Sequence, residues 1–338
     1  MANLKDIAKE AGVSVMTVSN VINGHYDKVS AQTVELIQKL IQKYNYVPNL
    51  NARSLSKRSS RMIAVFANTY QPGDNIFKDP YLSELFGELE SMIRKAGYYA
   101  IIRTVENVVN ASTLLQNWNV DGAIFMSQQS EESMSQIIEN SLCPIVFIDS
   151  FHKANPNALT VCVNDYKGGY IATKYLISNG HKRIAFAGCY SESNPIVSRR
   201  YDGYRDALKE AGIPYEDSFL INTFTRYEDG LNIGRDIANK QIDITAVFAA
   251  ADLLALGIIE GARLNGCMVP KDLSVIGFDN LDLCSFVTPK LTTISQDVHK
   301  KAEQAVNLLL DAIHEKPQLE HTVTLDVQLV VRQTVQEI

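Results

Sequence analysis

From Arg61 onward the sequence switches repeatedly between two periods, and that rhythm restricts the fold more than any other feature. Short β-branched runs (MIAVFA, AIIRTV, GAIFMS, PIVFID, VCVN, RIAFAG, AVFAAA, LSVIGFD and LTTISQ) alternate with longer segments whose apolar residues recur every three or four positions. In PYLSELFGELESMIRKAG the stripe is Leu82, Leu85, Phe86, Leu89 and Ile93; in HKKAEQAVNLLLDAIHEK it is Ala302, Ala305, Val306, Leu309 and Ile313. A strand apolar on both faces must be covered on both, and a helix with one apolar stripe supplies the cover. The alternation therefore predicts a parallel, doubly wound α/β body. Gly97, Gly180, Gly212 and Gly266 each follow a helical segment, where a left-handed residue ends a helix. About ten strands exceed the five or six of an ordinary sheet, so two sheets in two lobes are expected.

Charge separates the first 61 residues from the rest. Residues 1–61 hold nine Lys and Arg against four Asp and Glu, a balance of +5, whereas the remainder carries −11. A basic head on an acidic body fits a nucleic-acid-binding module joined to a domain of another kind, although a chance cluster of solvated charges gives the same tally. No apolar stretch reaches the ~18 residues of a membrane span, since AVFAAADLLALGIIEGA is broken by Asp252 and Glu260. The start, MANLKDIAKEAG, lacks the apolar region of a secretory signal. The five cysteines are scattered, with no CxxC and no metal-ligand spacing. A cytoplasmic protein with no metal, no cofactor and no membrane contact is the expectation. Neither a P-loop nor GxGxxG, HExxH or GxSxG occurs, so no catalytic residue is assigned. His152, His181, His299, His314 and His321 stand singly in loop or helix settings, as solvated surface residues do.

The head reads as three helices. Leu4, Ile7, Ala8 and Ala11 form the stripe of the first, which Gly12 stops. Ser14 can cap the second, in which Val18, Val21 and Ile22 face inward while Val15, Met16, Ser19 and Asn20 stay outside. The third runs from about Ala31 to Tyr44 and buries Val34, Ile37, Leu40, Ile41 and Tyr44. Two short helices across a Gly turn, locked by a third, make a helix-turn-helix. The first turn of its second helix enters the major groove. Val15 and Met16 suit the thymine methyl, and Asn20 can pair with adenine or bond a phosphate. Ser14, Thr17, Ser19 and Asn23 are short donors apt for phosphate oxygens. The plain alternative is a three-helix packing module whose polar face meets water. Beyond it, Pro48 ends or redirects the third helix, and Asn51 to Ser56 allow barely two helical turns, too few to persist alone.

LKDIAKEAGVSVMTVSNVING, followed by VS and then YNYVPNLNARSL, resembles the DNA-binding head and hinge of the lactose-repressor (LacI/GalR) family. The resemblance implies an all-α head over residues 1–47, a hinge helix and linker over 48–61, and a two-lobed effector-binding and dimerisation domain over 62–338. It implies that Val15, Met16 and Asn20 read the major groove, and that a hinge ordered on operator DNA drives Leu55 into the minor groove. An apolar wedge of that kind can unstack a base step, with Arg53 and Lys57 nearby for phosphates; an ordinary linker is the alternative. The loop GHYDKVS is a residue longer than in many members, which leaves contacts around His25 and Tyr26 open.

The resemblance extends to the body and supplies its arrangement: two doubly wound lobes of the periplasmic-sugar-binding type, one over about 62–162 and 294–323, the other over about 163–293 and 324–338. Ligands of such folds sit at strand C-terminal ends. Asp149 closes PIVFID, Asp279 closes LSVIGFD, and Arg200 starts a helix in SRRYDGY. By resemblance these three bind an effector's hydroxyls or carboxylates, Tyr81 lines the cleft, and Phe224 stacks on the ligand. Capping of the following turn is the alternative for the two aspartates, and core packing for the two aromatic residues. Ala251 departs from the Asn common at its position, and Asp252 beside it can cap its helix. The expected function is a transcriptional regulator, a repressor, that binds a near-palindromic operator as a homodimer under a small effector, a sugar or related metabolite. In one branch of the family a protein corepressor docks on the N-terminal lobe, and the sequence leaves that partner open. The rival is a solute-binding receptor of a transport system, for which a signal peptide is expected and a basic head is not. The end, VTLDVQLVVRQTVQEI, alternates like one strand through about Val331. The seven residues after it lack the heptads of a tetramerising coiled coil, so the dimer contact is expected on exposed apolar residues of the helices at 80–97 and 252–266.

Overall fold

Asn3 opens the first helix by accepting the backbone N–H groups of Lys5 and Asp6, while the Asp6 carboxylate accepts the N–H of Asn3 in return. This reciprocal cap starts α1 (Leu4–Ala11), and Gly12, left-handed at φ 66°, ends it. Ser14 caps α2 (Val15–Ile22) through the Thr17 N–H, and Ser30 caps α3 (Ala31–Lys43) through the Thr33 N–H. Ile7, Ala8, Val18, Val21, Ile37 and Leu40 fill the space between the helices. Ile22, Val34, Ile41 and Tyr44 pack around them, partly buried. Glu10 ties α1 to α3 by accepting from Lys43 Nζ at 2.6 Å and from the Tyr44 hydroxyl.

The computed structural model describes residues 3–46, 59–68, 75–105, 108–126, 130–151, 158–191, 194–317 and 320–338. Arg53, Leu55 and Lys57, and with them the expected hinge helix, lie outside the described residues, as does His152. The chain divides into two compact units, Met1–Arg61 and Met62–Ile338.

Within the second unit there are two six-stranded sheets. The first holds β1 (Met62–Asn68), β2 (Tyr99–Val105), β3 (Gly122–Met126), β4 (Ile145–Ile148), β5 (Leu159–Val163) and β11 (Thr322–Leu325), in the order β11-β5-β4-β3-β1-β2 and parallel throughout. The second holds β6 (Ile184–Gly188), β7 (Leu220–Asn222), β8 (Ala246–Ala249), β9 (Ser274–Asp279), β10 (Thr292–Gln296) and β12 (Val327–Val330), in the order β12-β10-β9-β8-β6-β7. There only the β10–β12 pair is antiparallel. Helices α4 (Pro80–Lys95), α5 (Val108–Trp118), α6 (Glu131–Glu139) and α12 (Val298–Ile313) belong to the first lobe. The second has α7 (Asp165–Ser178), α8 (Pro195–Glu210), α9 (Tyr227–Ala238), α10 (Asp252–Leu264) and the short α11 (Leu283–Phe286). Each stripe read from the sequence faces its sheet: Leu85, Phe86, Leu89 and Ile93 of α4 and Ala302, Ala305 and Leu309 of α12 are all buried.

The chain crosses between the lobes three times, and each crossing has one linking residue: Asn164 between β5 and α7, Asp297 between β10 and α12, and Asp326 between β11 and β12. Asn164 and Asp297 also cap the helices they lead into, accepting from Lys167 N–H and Lys300 N–H. The crossings therefore fall slightly later than the expected 162, 293 and 323, because each strand keeps its pairing up to the linking residue.

Three expectations need correction. VTLDVQLVV is not one strand but two, split at Asp326 between different sheets, each half alternating because it lies on an edge. His181 is not solvated: it is 1% exposed and bonded to Thr245 Oγ1, Ser274 Oγ and the Gln336 carbonyl. Burial lowers its pKa. Finally, the apolar residues of α4 are taken up by the core, so of the two helices expected to offer exposed apolar residues α10 does so, with Leu264, while Phe77, Tyr99, Met268 and Phe286 are exposed outside both.

Candidate functional site: an exposed helix and an interlobe cleft

On α2 the buried side is Val18 and Val21, which turns the first helical turn outward. Met16 is 70% exposed and Val15 42%, unusual for side chains that gain ~1.5–3 kcal/mol by full burial. Ser14 Oγ and Thr17 Oγ1 lie 2.9 Å apart beside them, keeping acceptor and donor capacity at the helix start. Asn20 sits one turn on, half-buried. Ser19 and Asn23 are bonded to each other. The Asn23 amide donates to the Ser19 carbonyl at 2.8 Å and to Ser19 Oγ at 3.2 Å, so both close the C-terminal end of α2.

In the body, the strand ends bring Tyr81, Asp149, Arg200 and Asp279 together. Asp149 follows β4 at φ 56° and Asp279 ends β9 at φ 125°, conformations that cost a non-glycine residue of order 1–3 kcal/mol. Asp149 accepts from the Tyr81 hydroxyl at 2.7 Å and from the Lys301 ammonium at 2.8 and 3.0 Å. Asp279 accepts from the Gln296 amide at 2.6 Å. Burial, then the charge of Asp252, push the Asp279 carboxyl well above the usual range, against the pull of Arg200. Burial and Asp149 likewise push the Tyr81 phenol up.

Arg200 is placed by glycines. On α7, a Cβ at Gly169 would lie 1.9 Å from the Arg200 carbonyl oxygen, and on α8 one at Gly203 would lie 2.1 Å from that of Tyr166. Only bare backbone lets the helices approach so closely. Arg200 Nε can then donate to Asp165 Oδ1 at 2.8 Å and Nη1 to the Ala250 carbonyl at 2.6 Å, with the guanidinium 3.5 Å above the Phe278 ring. The other Asp165 oxygen is buried without a partner. Burial raises the pKa of Asp165, with Arg200 opposing. Phe224 is 53% exposed on the loop before α9, with the Arg226 guanidinium 5.0 Å above its ring.

Asp252 does not cap its helix. Ala251 holds the cap position, and Asp252 accepts instead from the Leu281 N–H, Thr293 Oγ1 and the Cys284 thiol. It thereby fixes the loop that follows Asp279. Sequence reasoning missed Asp165, Gln296 and Lys301. For Lys301 a signal existed: it lies four residues before Ala305 and eight before Leu309, on the buried stripe of α12. A hydrophobic pattern passes over a lysine at such a place. Asp165 and Gln296 carried no comparable signal.

Among the described residues no helix is long and apolar enough to cross a membrane, and no cluster of His, Cys, Asp and Glu could hold a metal ion. Residues 3–49 match the bacterial regulatory proteins of the lacI family, and residues 173–335 the periplasmic binding protein-like domain. The chain is 34% identical over 340 residues to the HTH-type transcriptional repressor PurR of Histophilus somni, covering 99% of both proteins. With PurR of Haemophilus influenzae it is 32% identical over the whole of both chains. The lac repressor dimer bound to operator and the anti-inducer ONPF superposes with a TM-score of 0.87 at 26% identity, covering 99% of each chain. The CelR–cellobiose complex gives 0.74 at 26% identity, covering 99% of this chain and 100% of the other. A head of this kind favours a gene regulator over a solute receptor. The chain belongs to the LacI family of bacterial regulatory proteins, as a transcriptional repressor with a helix-turn-helix head and a periplasmic-binding-like effector domain.

Proposed function

We propose that the repressor's effector is a polyhydroxylated molecule, a sugar or related metabolite, held between the lobes by Arg200 and Asp279, with Tyr81 and Asp149 shaping the opposite wall. One observation carries this reading: buried groups from both lobes converge with acceptor capacity left over on Asp165 and Asp279 beside a guanidinium. Hydroxyls, which both donate and accept, match such a wall, and each bond to a charged group contributes about 1.5–3 kcal/mol. The cellobiose held by a structural relative is in keeping with this chemistry. In the head, Val15, Met16 and Asn20 contact base edges, and Ser14 and Thr17 contact phosphates. Ser19 and Asn23 support α2. Arg53, Leu55 and Lys57 extend the contact by sequence resemblance alone. The operator is near-palindromic and the protein binds it as a homodimer.

The test is a thermal-shift screen of the full-length protein against sugars, polyols and sugar phosphates. A ligand of the native state raises the melting temperature. At least one compound should do so, and Arg200→Ala should abolish the shift while leaving a cooperative transition. A shift that persists in both Arg200→Ala and Asp279→Asn would place the effector elsewhere.

A further inference from the structure

Two side chains expected to meet an effector, Tyr81 and Asp149, share a partner from the chain itself. The Lys301 ammonium donates to the Tyr81 hydroxyl at 2.8 Å, to both Asp149 oxygens at 2.8 and 3.0 Å, and to Gln296 Oε1 at 2.6 Å. An ammonium has three protons and no acceptor, so these three residues use it fully. Lys301 has no exposed surface, and a buried charge persists only where partners compensate it. Gln296 passes the connection on, donating its amide to Asp279 at 2.6 Å.

The path Tyr81–Asp149–Lys301–Gln296–Asp279 crosses the molecule. Tyr81 and Lys301 stand on α4 and α12 of the first lobe and Asp149 directly follows its β4; Gln296 and Asp279 end β10 and β9 of the second. A separate contact runs the same way: the Arg199 guanidinium of α8 lies 3.9 Å above the ring of Phe151, which follows β4.

We infer that Lys301 is a tethered internal ligand, whose ammonium occupies the first lobe's side of the cleft and, through Gln296, draws the two lobes together without an added effector. The inference rests on the cleft being the effector site, and it adds that an incoming effector competes with a group the protein already carries. Because Lys301 cannot leave, Gln296 is a standing neutral bridge between the lobes, beside the Arg199–Phe151 contact.

Hydrogen exchange on the full-length protein with no added ligand tests this, comparing wild type with Gln296→Ala, Lys301→Met and, as a control, Lys300→Met. The peptides to follow are 145–151 in the first lobe and 276–281 in the second. Gln296→Ala should speed exchange about tenfold in both, as expected when a local opening becomes easier, while peptides from β3 and β8 and the Lys300→Met protein keep wild-type rates. Lys301→Met should act at least as strongly; if it fails to fold, Gln296→Ala decides alone. Acceleration confined to 276–281, or none, would overturn the inference, since a merely local role for Gln296 cannot reach Asp149. The effector reading is judged by the sugar screen and can fail independently.

Discussion

Asp279 shows how one carboxyl can serve binding at the expense of stability. Its native pKa is raised by burial and by Asp252, so the folded protein retains a proton that the unfolded chain has already released. Stability therefore falls as pH rises from about 4 toward the raised native value, by at most ~1.4 kcal/mol per pH unit for one proton. Asp279→Asn should make that decline shallower and raise the melting temperature at pH 7, while weakening effector binding; melts from pH 4 to 8 check both. A decline as steep in the variant as in wild type would assign the titration to other groups, Asp165 and Asp252 among them. On the head, Asn20→Ala or Met16→Ala should weaken specific operator binding by about 1–3 kcal/mol per subunit and relax the preference at one base position. Mobility-shift assays on a randomised operator would read this, and an unchanged preference would remove the residue from the reading face. At this scale legibility followed the backbone. Asp149 and Asp279 were readable because they stand at strand ends, whereas Arg200, which lies five residues after Pro195 within α8 and not at its start, was readable through the resemblance. Lys301 was passed over despite its place on the stripe of α12, because HKK reads as a solvated charge run and two of its partners, Tyr81 and Asp149, are distant in sequence.

Elements were legible wherever one face was buried and the other was not. The stripes of α4 and α12 and the glycines after α1, α4, α7, α8 and α10 were plain, since burial and left-handed geometry act within a few residues. The close contact of α7 and α8 was invisible, because Gly169 and Gly203 gain meaning only once the helices are side by side. Gly203→Ala, forcing a Cβ against the Tyr166 carbonyl, should cost about 1–3 kcal/mol in chemical denaturation. It should also weaken any effector thermal shift by moving Arg200 away from Asp165. A fully stable Gly203→Ala protein with an unaltered shift would mean that the helices adjust without disturbing the cleft. The split of VTLDVQLVV was equally hidden, since both halves keep the alternation of one strand and only pairing partners distinguish them.

For the whole molecule, a homodimer should sediment at about twice the 37.6 kDa chain mass at micromolar concentration. Its contact should draw on the apolar surface left outside the core, including Phe286, which is 75% exposed on α11. Phe286→Asp should shift the population toward monomer; a dimer unaffected by that change would move the interface to another face. The three crossings carry a different consequence. Consecutive Cα atoms stay 3.8 Å apart whatever the dihedrals, so links of one residue let the lobes neither separate nor slide far. The freedom left to them is angular, absorbed in the backbone torsions of Asn164, Asp297 and Asp326. The body then works as a lever with its fulcrum at those three residues, and a small turn there becomes a longer arc wherever the lobes reach farthest from it.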